Sequence, residues 1–323
     1  MSTIAIVIPT YNGASRIGST LASIKRANRL ERNQLHVYLV DNNSRPADAI
    51  AYQSLVAEYR QHFDVSYLAE RKQGRSHALN LGVATAQEDV IAFVDDDETI
   101  DVEWLTVLHS HFDDPAIDYV GGPYLPDWLA PPPSWLPAHI NQYKGILGWI
   151  EQAPKKMSYD EFDGTLCGGN CAMRRQVFDA VGGFNVHLGR SAQNLMGGED
   201  GEFHLRLRAK GLRGLYDPAL IVYHQIPAAR MTFRYHLRWA YWSGVSNGIR
   251  IRTRGMDGQP VAMLGGIPRY WYRKAIDGCA TALFATMTRS FWRAPRGLCG
   301  AMDFSYLLGL LYGRHVMPVA SAS

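Results

Sequence analysis

The chain is short of the features that mark secreted, membrane-spanning and zinc-binding proteins. It has 4 cysteines in 323 residues, too few for a disulfide framework at this length. Cys167 and Cys171 lie four positions apart, but no further Cys or His pair follows at zinc spacing. No long apolar run is free of charge, and the N-terminus has no basic segment or cleavage site. We therefore expect a protein of the reducing cytosol, without a transmembrane helix or a secretory leader.

Glycine-rich phosphate-binding loops are also missing. The first apolar run, Ile4–Pro9, is not followed by Gly-x-Gly-x-x-Gly, and Gly-x4-Gly-Lys-Ser/Thr occurs nowhere in the chain. These loops hold the phosphates of dinucleotides and of P-loop nucleotides through backbone N–H groups. A dinucleotide-binding enzyme or a P-loop nucleotidase is therefore disfavoured. Any phosphate bound by this chain needs another countercharge, such as a metal ion.

Acidic residues are scarce in the last third of the chain. The formal net charge is +3, but residues 226–323 hold 13 of the 33 Lys and Arg residues and only 3 of the 30 Asp and Glu residues. The rest of the chain is accordingly acidic. A basic segment of this kind favours an anionic partner, either nucleic acid or anionic lipid, and a solvated basic surface is an equal alternative.

The first 125 residues do contain a regular alternation of apolar and amphipathic segments. The apolar runs predict strands, and the segments between them have helical spacing. The predicted strands are Ile4–Pro9, Leu35–Val40, Val65–Ala69, Asp89–Val94 and Tyr119–Gly122. This order predicts an α/β fold with βαβ units and a mostly parallel sheet. In such a sheet, ligands bind beyond the carboxyl ends of the strands.

Each of the first four predicted strands ends in polar residues. The clusters are Thr10-Tyr11-Asn12, Asp41-Asn42-Asn43-Ser44, Glu70-Arg71-Lys72-Gln73-Gly74-Arg75 and Asp95-Asp96-Asp97-Glu98. Polar groups at strand ends are costly unless they are solvated or used. Their repetition at one edge of the sheet therefore indicates a binding site.

The run Asp95–Glu98 is the sharpest of these signals. Four consecutive carboxylates repel one another at neutral pH, and a divalent cation relieves that repulsion. Carboxylate oxygens suit Mg²⁺ or Mn²⁺, and Asp95 and Asp97 face the same way if the strand continues through them. The alternative is an acidic loop that caps the next helix, whose dipole favours negative charge. The residues alone leave both interpretations open.

Two further features lie downstream. Glu199 and Asp200 follow two glycines at a predicted helix start, where a carboxylate can act as a general base or can simply cap the helix. His224 follows the apolar segment Leu220–Tyr223. A single histidine is more often structural than a ligand, but its place after a strand makes it a candidate metal ligand.

The order of these motifs resembles the family 2 glycosyltransferases, which are inverting enzymes of the GT-A fold. The matching residues are Pro9-Thr10-Tyr11-Asn12, Val40–Ser44, Gly74, Ala78, Asn80, Gly82, Phe93–Asp97, Gly168-Gly169-Asn170, Gly182-Gly183-Phe184, Gly198-Glu199-Asp200, Arg206, Leu207, Gly211, Asp217, Pro218 and His224. Single motifs are weak, whereas their order and spacing are specific. The resemblance implies a Rossmann-like, mostly parallel sheet flanked by helices, and transfer of a sugar from a nucleotide-sugar donor.

The resemblance also implies roles for individual residues. Asp200 matches the catalytic base, with Glu199 beside it. Asp95 and Asp97 match the metal-binding Asp-x-Asp motif, and His224 has the position of a metal ligand in some relatives. The residues expected to contact the nucleotide-sugar are Pro9, Thr10, Tyr11, Asn12, Asp41, Asn43, Arg71, Gly74, Arg75, Asn80, Asp95, Asp96, Gly169 and Asn170. Arg71, Lys72 and Arg75 compete for one basic contact, and Glu98 is expected only to shape its turn.

The reaction that the resemblance implies is a single displacement at the anomeric carbon. Asp200 takes the proton of an acceptor hydroxyl, while Mn²⁺ or Mg²⁺ neutralises the departing diphosphate. The expected acceptor is a lipid-linked oligosaccharide or a polysaccharide, and nucleic acid is not expected as a partner. The alternatives are a sugar-nucleotide nucleotidylyltransferase, which would carry a glycine-rich loop after the first strand, and a non-catalytic nucleotide- or nucleic-acid-binding protein.

Residues 231–323 are expected to form a helical extension of a GT-A domain at 1–230, which a proline-rich loop at Pro126–Pro137 divides. The extension mixes cations with aromatic residues, as in Phe233–Trp242 and Pro268–Lys274. Its apolar patches are too short to span a bilayer, and such helices suit an anionic membrane surface. A helical cap and an oligomer interface are the alternatives. We expect a cytoplasmic protein that lies peripherally at the inner face of the cell membrane.

Overall fold

The computed structural model describes residues 2–136, 140–192, 194–254, 261–287 and 295–317. The chain divides into two compact units that are interleaved in sequence. The first unit holds Met1–Asp127, Gly148–Val186 and Glu199–Gln225, and the second holds Trp128–Leu147, His187–Gly198 and Ile226–Ser323. The division into domains at 1–230 and 231–323 stays a prediction.

Strands and helices alternate over the first part of the chain, as the apolar pattern predicts. In chain order the strands are β1 (Ile4–Thr10), β2 (Leu35–Asp41), β3 (Asp64–Ala69), β4 (Val90–Phe93), β5 (Glu98–Ile100), β6 (Tyr119–Gly121), β7 (Tyr124–Trp128), β8 (Met157–Ser158), β9 (Cys171–Arg174), β10 (Gly214–Tyr216), β11 (Val222–Ile226), β12 (Met263–Leu264) and β13 (Ile267–Pro268). The helices are α1 (Ile17–Ala27), α2 (Pro46–Tyr59), α3 (Arg75–Thr85), α4 (Trp104–His111), α5 (Ile140–Leu147), α6 (Gln176–Val181), α7 (Glu199–Ala209), α8 (Phe233–Arg254), α9 (Arg269–Met287) and α10 (Pro295–His315).

The main sheet has eight strands in the order β3-β2-β1-β4-β9-β6-β10-β8. The strands β3, β2, β1 and β4 are parallel neighbours, and β6 is parallel to β10. By contrast, β9 is antiparallel to both β4 and β6, and β8 is antiparallel to β10. A smaller sheet has the order β5-β11-β7. The predicted α/β class, with a mostly parallel sheet and helices, is confirmed.

The core lies on both faces of the main sheet because side chains alternate along each strand. Along β1, Ile4, Ile6 and Ile8 join one apolar cluster, while Ala5 and Val7 join another. Every residue of β1 is buried, which explains its continuous apolar sequence. With both faces covered, polar groups of the first unit can gather at the carboxyl edge of the strands.

The proline-rich stretch departs from the expected loop at its start. Pro126 lies within β7, which continues to Trp128. This strand is at the edge of the smaller sheet, where a residue without an N–H can be accommodated. The chain from there to Leu136 has no helix or strand, and Pro137 lies outside the described residues.

The second unit contains three long helices, of which α10 packs against both α8 and α9. A Cβ added at Gly244 or Gly248 of α8 would meet backbone atoms of α10. A Cβ added at Gly309 or Gly313 of α10 would meet backbone atoms of α8. Glycines spaced four apart allow such close backbone approach, and we call these four residues the glycine seam. Among the helices that the structure describes, none combines the length and hydropathy needed to cross a bilayer.

Candidate active site

The carboxyl ends of β1, β2 and β4 lie side by side. Thr10 at the end of β1 is the register partner of Asp41 at the end of β2. Val7 of β1 pairs with Phe93, the last residue of β4. Because these strands are parallel, the residues that follow them share one edge of the sheet. The polar clusters seen in the sequence therefore meet at this edge.

Asp96 is held by residues of the first strand and the segment after it. The Thr10 hydroxyl donates to Asp96 Oδ2 at 2.6 Å, and Arg16 Nη2 lies 2.9 Å from the same oxygen. The Thr10 oxygen is also 3.1 Å from the Tyr52 hydroxyl. Burial, together with the charge of Asp97, raises the pKa of Asp96 to about 6 against the opposing effect of Arg16. Asp96 therefore anchors the turn between β4 and β5.

Asp95, Asp97 and Glu98 form a second group, which we call the carboxylate cluster. One oxygen from each residue lies within 4.8 Å of the others. Glu98 is 1% exposed, and its Oε2 accepts the N–H of Asp95 at 2.8 Å. Burial, followed by the charges of Asp95 and Asp97, raises the pKa of Glu98 well above its usual value. A divalent cation fits these residues because they offer hard oxygen donors whose mutual repulsion it would remove.

His224 approaches the carboxylate cluster from β11. The antiparallel pairing of β5 with β11 sets His224 opposite Glu98, and His224 Nε2 lies 3.8 Å from Asp97 Oδ2. The Asp97 carbonyl accepts the N–H of Gln225 at 2.9 Å, which ties the turn to β11. Three carboxylates with one imidazole form a set of mainly hard donors, which suits Mn²⁺ or Mg²⁺.

Gly169 lets the backbone pass close to the Glu98 carboxylate. A Cβ at this position would lie 2.6 Å from both Glu98 carboxylate oxygens. The Gly169 N–H donates to the Tyr124 hydroxyl at 2.5 Å. A larger residue at position 169 would therefore displace Glu98 from the carboxylate cluster.

Arg75 links the carboxylate cluster to the start of α7. Its Nε and Nη2 donate to Asp95 Oδ1 at 3.0 and 2.7 Å, and its Nη1 donates to Glu199 Oε1 at 2.9 Å. The Arg75 side chain is 13% exposed, and the two carboxylates hold its pKa above the usual value despite burial. The competing residues Arg71 and Lys72 are exposed. Of the three basic candidates, Arg75 is the one that contacts the predicted site.

Asp200 lies next to Glu199 in the first turn of α7. Its Oδ2 accepts the N–H of Gly168 at 3.2 Å, and its Oδ1 accepts the N–H of Gly201 at 2.8 Å. These bonds orient the carboxylate at the start of α7. A partly exposed carboxylate in this position can serve as a general base.

The ends of β1 and β2 are connected by a network around Asp41. The Tyr67 hydroxyl donates to Asp41 Oδ2 at 2.7 Å, and the Ser44 N–H donates to Asp41 Oδ1 at 2.9 Å. The Asn12 N–H in turn donates to the Ser44 hydroxyl at 2.9 Å. Asn12 and Asn43 both have positive φ, 48° and 62°, a conformation that asparagine tolerates better than most residues. The two loops therefore form one preformed edge.

Comparisons with known proteins identify the family of this chain. The family model described as Glycosyl transferase family 2 matches residues 5–182, which is more than half of the chain. This chain belongs to glycosyl transferase family 2. The predicted family and enzyme class, a glycosyltransferase, are confirmed.

Two relatives illustrate the extent of the similarity. The chain is 26% identical over 187 residues to the glucosyl-dolichyl phosphate glucuronosyltransferase of Haloferax volcanii, which covers 57% of this chain and 58% of that protein. It is 26% identical over 314 residues to the succinoglycan biosynthesis protein ExoM of Rhizobium meliloti, which covers 95% of this chain and 93% of that protein. The match thus spans less than two thirds of the first relative and nearly all of the second.

A comparison with a solved structure supports the fold of this family 2 glycosyltransferase. The chain resembles the mannosyltransferase PcManGT of Pyrobaculum calidifontis, determined in complex with GDP-Man and Mn²⁺, with a TM-score of 0.62 and 18% sequence identity. The likeness covers 97% of this chain and 87% of that protein. The predicted GT-A fold is thereby confirmed.

The structure of this family 2 member brings together much of the predicted residue set. The predicted residues that take part in the contacts above are Thr10, Asn12, Asp41, Arg75, Asp95, Asp96, Asp97, Gly169, Glu199, Asp200 and His224. Gly74 precedes α3 with its N–H donated to Asn42 Oδ1 at 2.7 Å. Pro9 is buried in β1, Tyr11 is half-buried, and Arg71 and Asn43 are exposed. The ligand contacts of all these residues stay predictions.

Two predicted donor-binding residues use their amides within the protein. Asn80 Nδ2 donates to the Phe184 carbonyl at 2.9 Å, and Asn80 Oδ1 accepts the Phe184 N–H at 2.7 Å. Asn170 is fully buried; its partners are the carbonyls of Pro123 and Leu220, at 2.8 and 2.7 Å, and the indole N–H of Trp104, at 2.9 Å. Both amides stabilise loops around the site, and their predicted contact with the nucleotide-sugar stays a prediction.

Sequence reasoning missed several residues that build this site. Glu98 was expected only to shape its turn, whereas it belongs to the carboxylate cluster. The remaining residues each contact one part of the site. Arg16 holds Asp96, Asn42 holds the Gly74 loop, Tyr52 holds Thr10, and Tyr67 holds Asp41. Tyr52 and Tyr67 lie in helix and strand positions that read as core, so the pattern carries no sign of their polar contacts. Asn42 had a sequence signal, because it lies within a polar strand end.

Proposed function

We propose that this glycosyltransferase transfers a sugar from a nucleotide-sugar to a hydroxyl of a lipid-linked oligosaccharide or a polysaccharide, with inversion at the anomeric carbon. The observation that carries the proposal is the series of contacts from Asp95 through Arg75 to Glu199, next to Asp200. It joins a group suited to a cation with a group suited to accepting a proton. A metal-assisted single displacement needs both groups in one site.

The carboxylate cluster and His224 would hold the divalent cation. Mn²⁺ or Mg²⁺, when bound there, supplies positive charge that offsets the charge developing on a diphosphate leaving group. The raised pKa of Glu98 supports this role, because it reflects burial together with the negative charges of Asp95 and Asp97. Arg75 already offsets part of that charge through Asp95.

Asp200 would act as the general base. The acceptor hydroxyl oxygen bonds to the anomeric carbon while the bond from that carbon to the diphosphate oxygen breaks. The hydroxyl proton passes to the Asp200 carboxylate, which the N–H groups of Gly168 and Gly201 orient. One displacement inverts the configuration, so the reaction needs no covalent glycosyl–enzyme intermediate. Glu199 would orient Arg75 rather than take the proton.

The donor nucleotide would bind along the ends of β1 and β2. Asp41 would accept from the base, because each of its oxygens retains a lone pair beside the bond it already accepts. Arg75 would contact the donor as the buried cation of this edge. The other proposed donor contacts are Pro9, Thr10, Tyr11, Asn12, Asn43, Arg71, Gly74, Asn80, Asp95, Asp96, Gly169 and Asn170.

The acceptor class is supported by the relatives. One is a glucosyl-dolichyl phosphate glucuronosyltransferase and another a succinoglycan biosynthesis protein, so similar chains take part in the synthesis of lipid-linked glycans and of polysaccharides. We propose a catalytic domain at 1–230 and a basic helical extension at 231–323 that contacts an anionic membrane. The protein would then work in the cytoplasm, peripherally at the inner face of the cell membrane.

A donor-hydrolysis screen tests the proposal. The full chain is incubated with UDP-, GDP- and dTDP-sugars and Mn²⁺, and release of the nucleoside diphosphate is measured. We expect hydrolysis of one donor class, removal of the activity by EDTA, and recovery with Mn²⁺ or Mg²⁺. In Asp97→Ala and Asp200→Asn, turnover should fall on the order of 1000-fold, as for the loss of a group that stabilises a transition state.

The control is Asp113→Asn, an exposed aspartate remote in sequence from every predicted site residue, which should keep full activity. Hydrolysis that persists in EDTA would contradict the proposed role of the metal. Unchanged turnover in Asp200→Asn would contradict the role of Asp200 as general base. Release of pyrophosphate from a nucleoside triphosphate and a sugar phosphate would indicate a nucleotidylyltransferase, and binding without turnover in any variant would indicate a non-catalytic protein.

A further inference from the structure

Helix α9 presents large apolar side chains outward. Ile276, Leu283, Phe284 and Met287 are 69%, 63%, 68% and 75% exposed. At 3.6 residues per turn they fall on one side of the helix, together with the exposed Ala280. We call these five residues the outer face. An outward face of a soluble helix is normally polar, so this one has the opposite character.

The inward side of α9 is built from small residues. Ala275, Gly278 and Ala285 are its buried residues, and a Cβ at Gly278 would lie 2.7 Å from the carbonyl oxygen of Gly300 in α10. The helix therefore packs closely on α10 through small side chains. Its large apolar side chains lie on the outside, where most of their surface stays exposed to solvent.

Positively charged side chains lie at the N-terminal end of the same outward side of α9. Arg269, Arg273 and Lys274 are exposed in the first two turns, and Asp277, on the border of the outer face, lies 3.8 Å from Arg273. Lys274 is 2.9 Å from Asp303 of α10, so Arg269 and Arg273 supply the positive charge nearest to the outer face. These arginines continue the basic character of residues 226–323.

We infer that α9 docks on the surface of an anionic lipid bilayer, with its outer face among the acyl chains and Arg269 and Arg273 at the headgroups. A large apolar face explains the exposed side chains, and the cations match a negatively charged partner. A second copy of the chain would also bury the apolar face, and sedimentation velocity tests that alternative. The inference deepens the proposed membrane contact, on which it rests, by naming the surface responsible.

Vesicle flotation of the full chain tests this inference. Wild-type protein is mixed with phosphatidylcholine vesicles that contain or lack phosphatidylglycerol. We expect binding to the anionic vesicles. The double variant Leu283→Gln/Phe284→Gln should lower the partition coefficient at least about tenfold. Arg269→Gln/Arg273→Gln should lower it about tenfold on anionic vesicles and leave neutral vesicles unaffected.

The matched controls are Ile50→Gln and Leu129→Gln, whose apolar side chains are 66% and 54% exposed elsewhere in the chain. Both should float like the wild type. Equal loss in these controls, or unchanged flotation of Leu283→Gln/Phe284→Gln, would overturn the inference. So would a wild-type dimer that ignores vesicles and becomes monomeric in Leu283→Gln/Phe284→Gln, measured by sedimentation velocity.

Donor hydrolysis in solution separates this test from the proposed function. None of the residues in the outer face belongs to the proposed active site, so Leu283→Gln/Phe284→Gln should hydrolyse the donor at the wild-type rate. Flotation without hydrolysis would support the docking surface and contradict the proposed reaction. Hydrolysis without flotation would contradict the docking surface and support the proposed reaction.

Discussion

The carboxylate cluster of the first unit and the glycine seam of the second are both tightly constrained, for opposite reasons. In the cluster, charged side-chain ends crowd together and Arg75 offsets part of their charge. In the seam, the backbones of α8 and α10 touch, and no side chain separates them. A carboxylate can bind a proton or a cation, whereas packed backbone cannot move away. Changes in the cluster should therefore affect ligand binding first, and changes in the seam should affect stability first.

The largest effect is expected from Gly309→Ala in the glycine seam. The added Cβ would meet the carbonyl group of Tyr241 in α8, with the carbonyl carbon at 2.8 Å. Because that contact is backbone, the helices must separate, and the free energy of unfolding should fall by about 3 kcal/mol. Urea denaturation of the full chain, followed by circular dichroism, measures the change.

Gly145→Ala is the matched control, because the same substitution in α5 of the same unit places a Cβ with nothing within 4 Å. Alanine is the better helix former, so this variant should gain about 0.5–1 kcal/mol. If both variants lost the same stability, the seam would be no more constrained than an ordinary helical glycine, and the comparison would fail.

A smaller effect, of opposite sign, is expected from Glu98→Gln in the carboxylate cluster. Without metal, the variant should be more stable than the wild type, because a buried charge and its repulsion from Asp95 and Asp97 are removed. The amide oxygen can still accept the Asp95 N–H. Affinity for Mn²⁺ should fall about 10- to 100-fold, a loss of about 2 kcal/mol. Thermal unfolding with and without Mn²⁺, with calorimetric titration, measures both changes.

The control for this variant is Glu58→Gln, an exposed glutamate on α2, which should change neither quantity. A metal-free Glu98→Gln that is less stable than the wild type would show that Glu98 stabilises the fold. An unchanged Mn²⁺ affinity would remove Glu98 from the proposed ligands.

The smallest effect is a pH dependence of stability from His204, which lies in α7 of the first unit and belongs to neither compared region. Burial lowers the pKa of His204 from 6.5 to about 4. Its Nδ1 accepts the Leu166 N–H at 3.3 Å, and its Nε2 lies 3.1 Å from the Tyr119 hydroxyl, so a proton on Nδ1 would face another donor. The unfolded chain therefore takes up the proton first as the pH falls.

It follows that His204 contributes its full stability above about pH 6.5 and loses it as the pH falls toward about 4. Between pH 7 and pH 5 the free energy of unfolding should drop by about 1.5 kcal/mol through this residue. His204→Gln should remove that part of the slope in urea denaturation at several pH values. The exposed His187→Gln should keep it. Equal slopes in His204→Gln and the wild type would show that another group is responsible.

The sequence predicts those features of the first unit that depend on the pattern within a single segment. The apolar runs predict β1 to β4 within a residue or two of their observed bounds, because buried parallel strands need continuous apolar sequence. The polar strand ends and the Asp-x-Asp resemblance point to the edge where Asp95, Asp97 and Glu199 are joined by contacts. These features depend on local pattern and on strand direction, both of which the sequence carries.

The remaining features depend on partners distant in sequence. Glu98 joins Asp95 and Asp97 because β4 ends at Phe93 and the chain turns, so the alternation expected for a continuing strand does not apply. Arg75 was one of three basic candidates until its contacts with Asp95 and Glu199 distinguished it. The contacts of Asn170 with Pro123, Leu220 and Trp104 likewise have no local signature, since these partners lie 47, 50 and 66 residues away in the sequence.

The position of β9 in the main sheet bears on how the chain acquires its structure during synthesis. β9 lies between β4 and β6, although it follows both in sequence. Until Cys171–Arg174 has been made, β4 has one open hydrogen-bonding side and β6 has two, because its other neighbour, β10, is made later still. At about 5–20 residues per second, the roughly fifty residues between β6 and the end of β9 take several seconds to make. During this time the sheet of the nascent chain is incomplete, and its unpaired strands are most exposed to incorrect pairing.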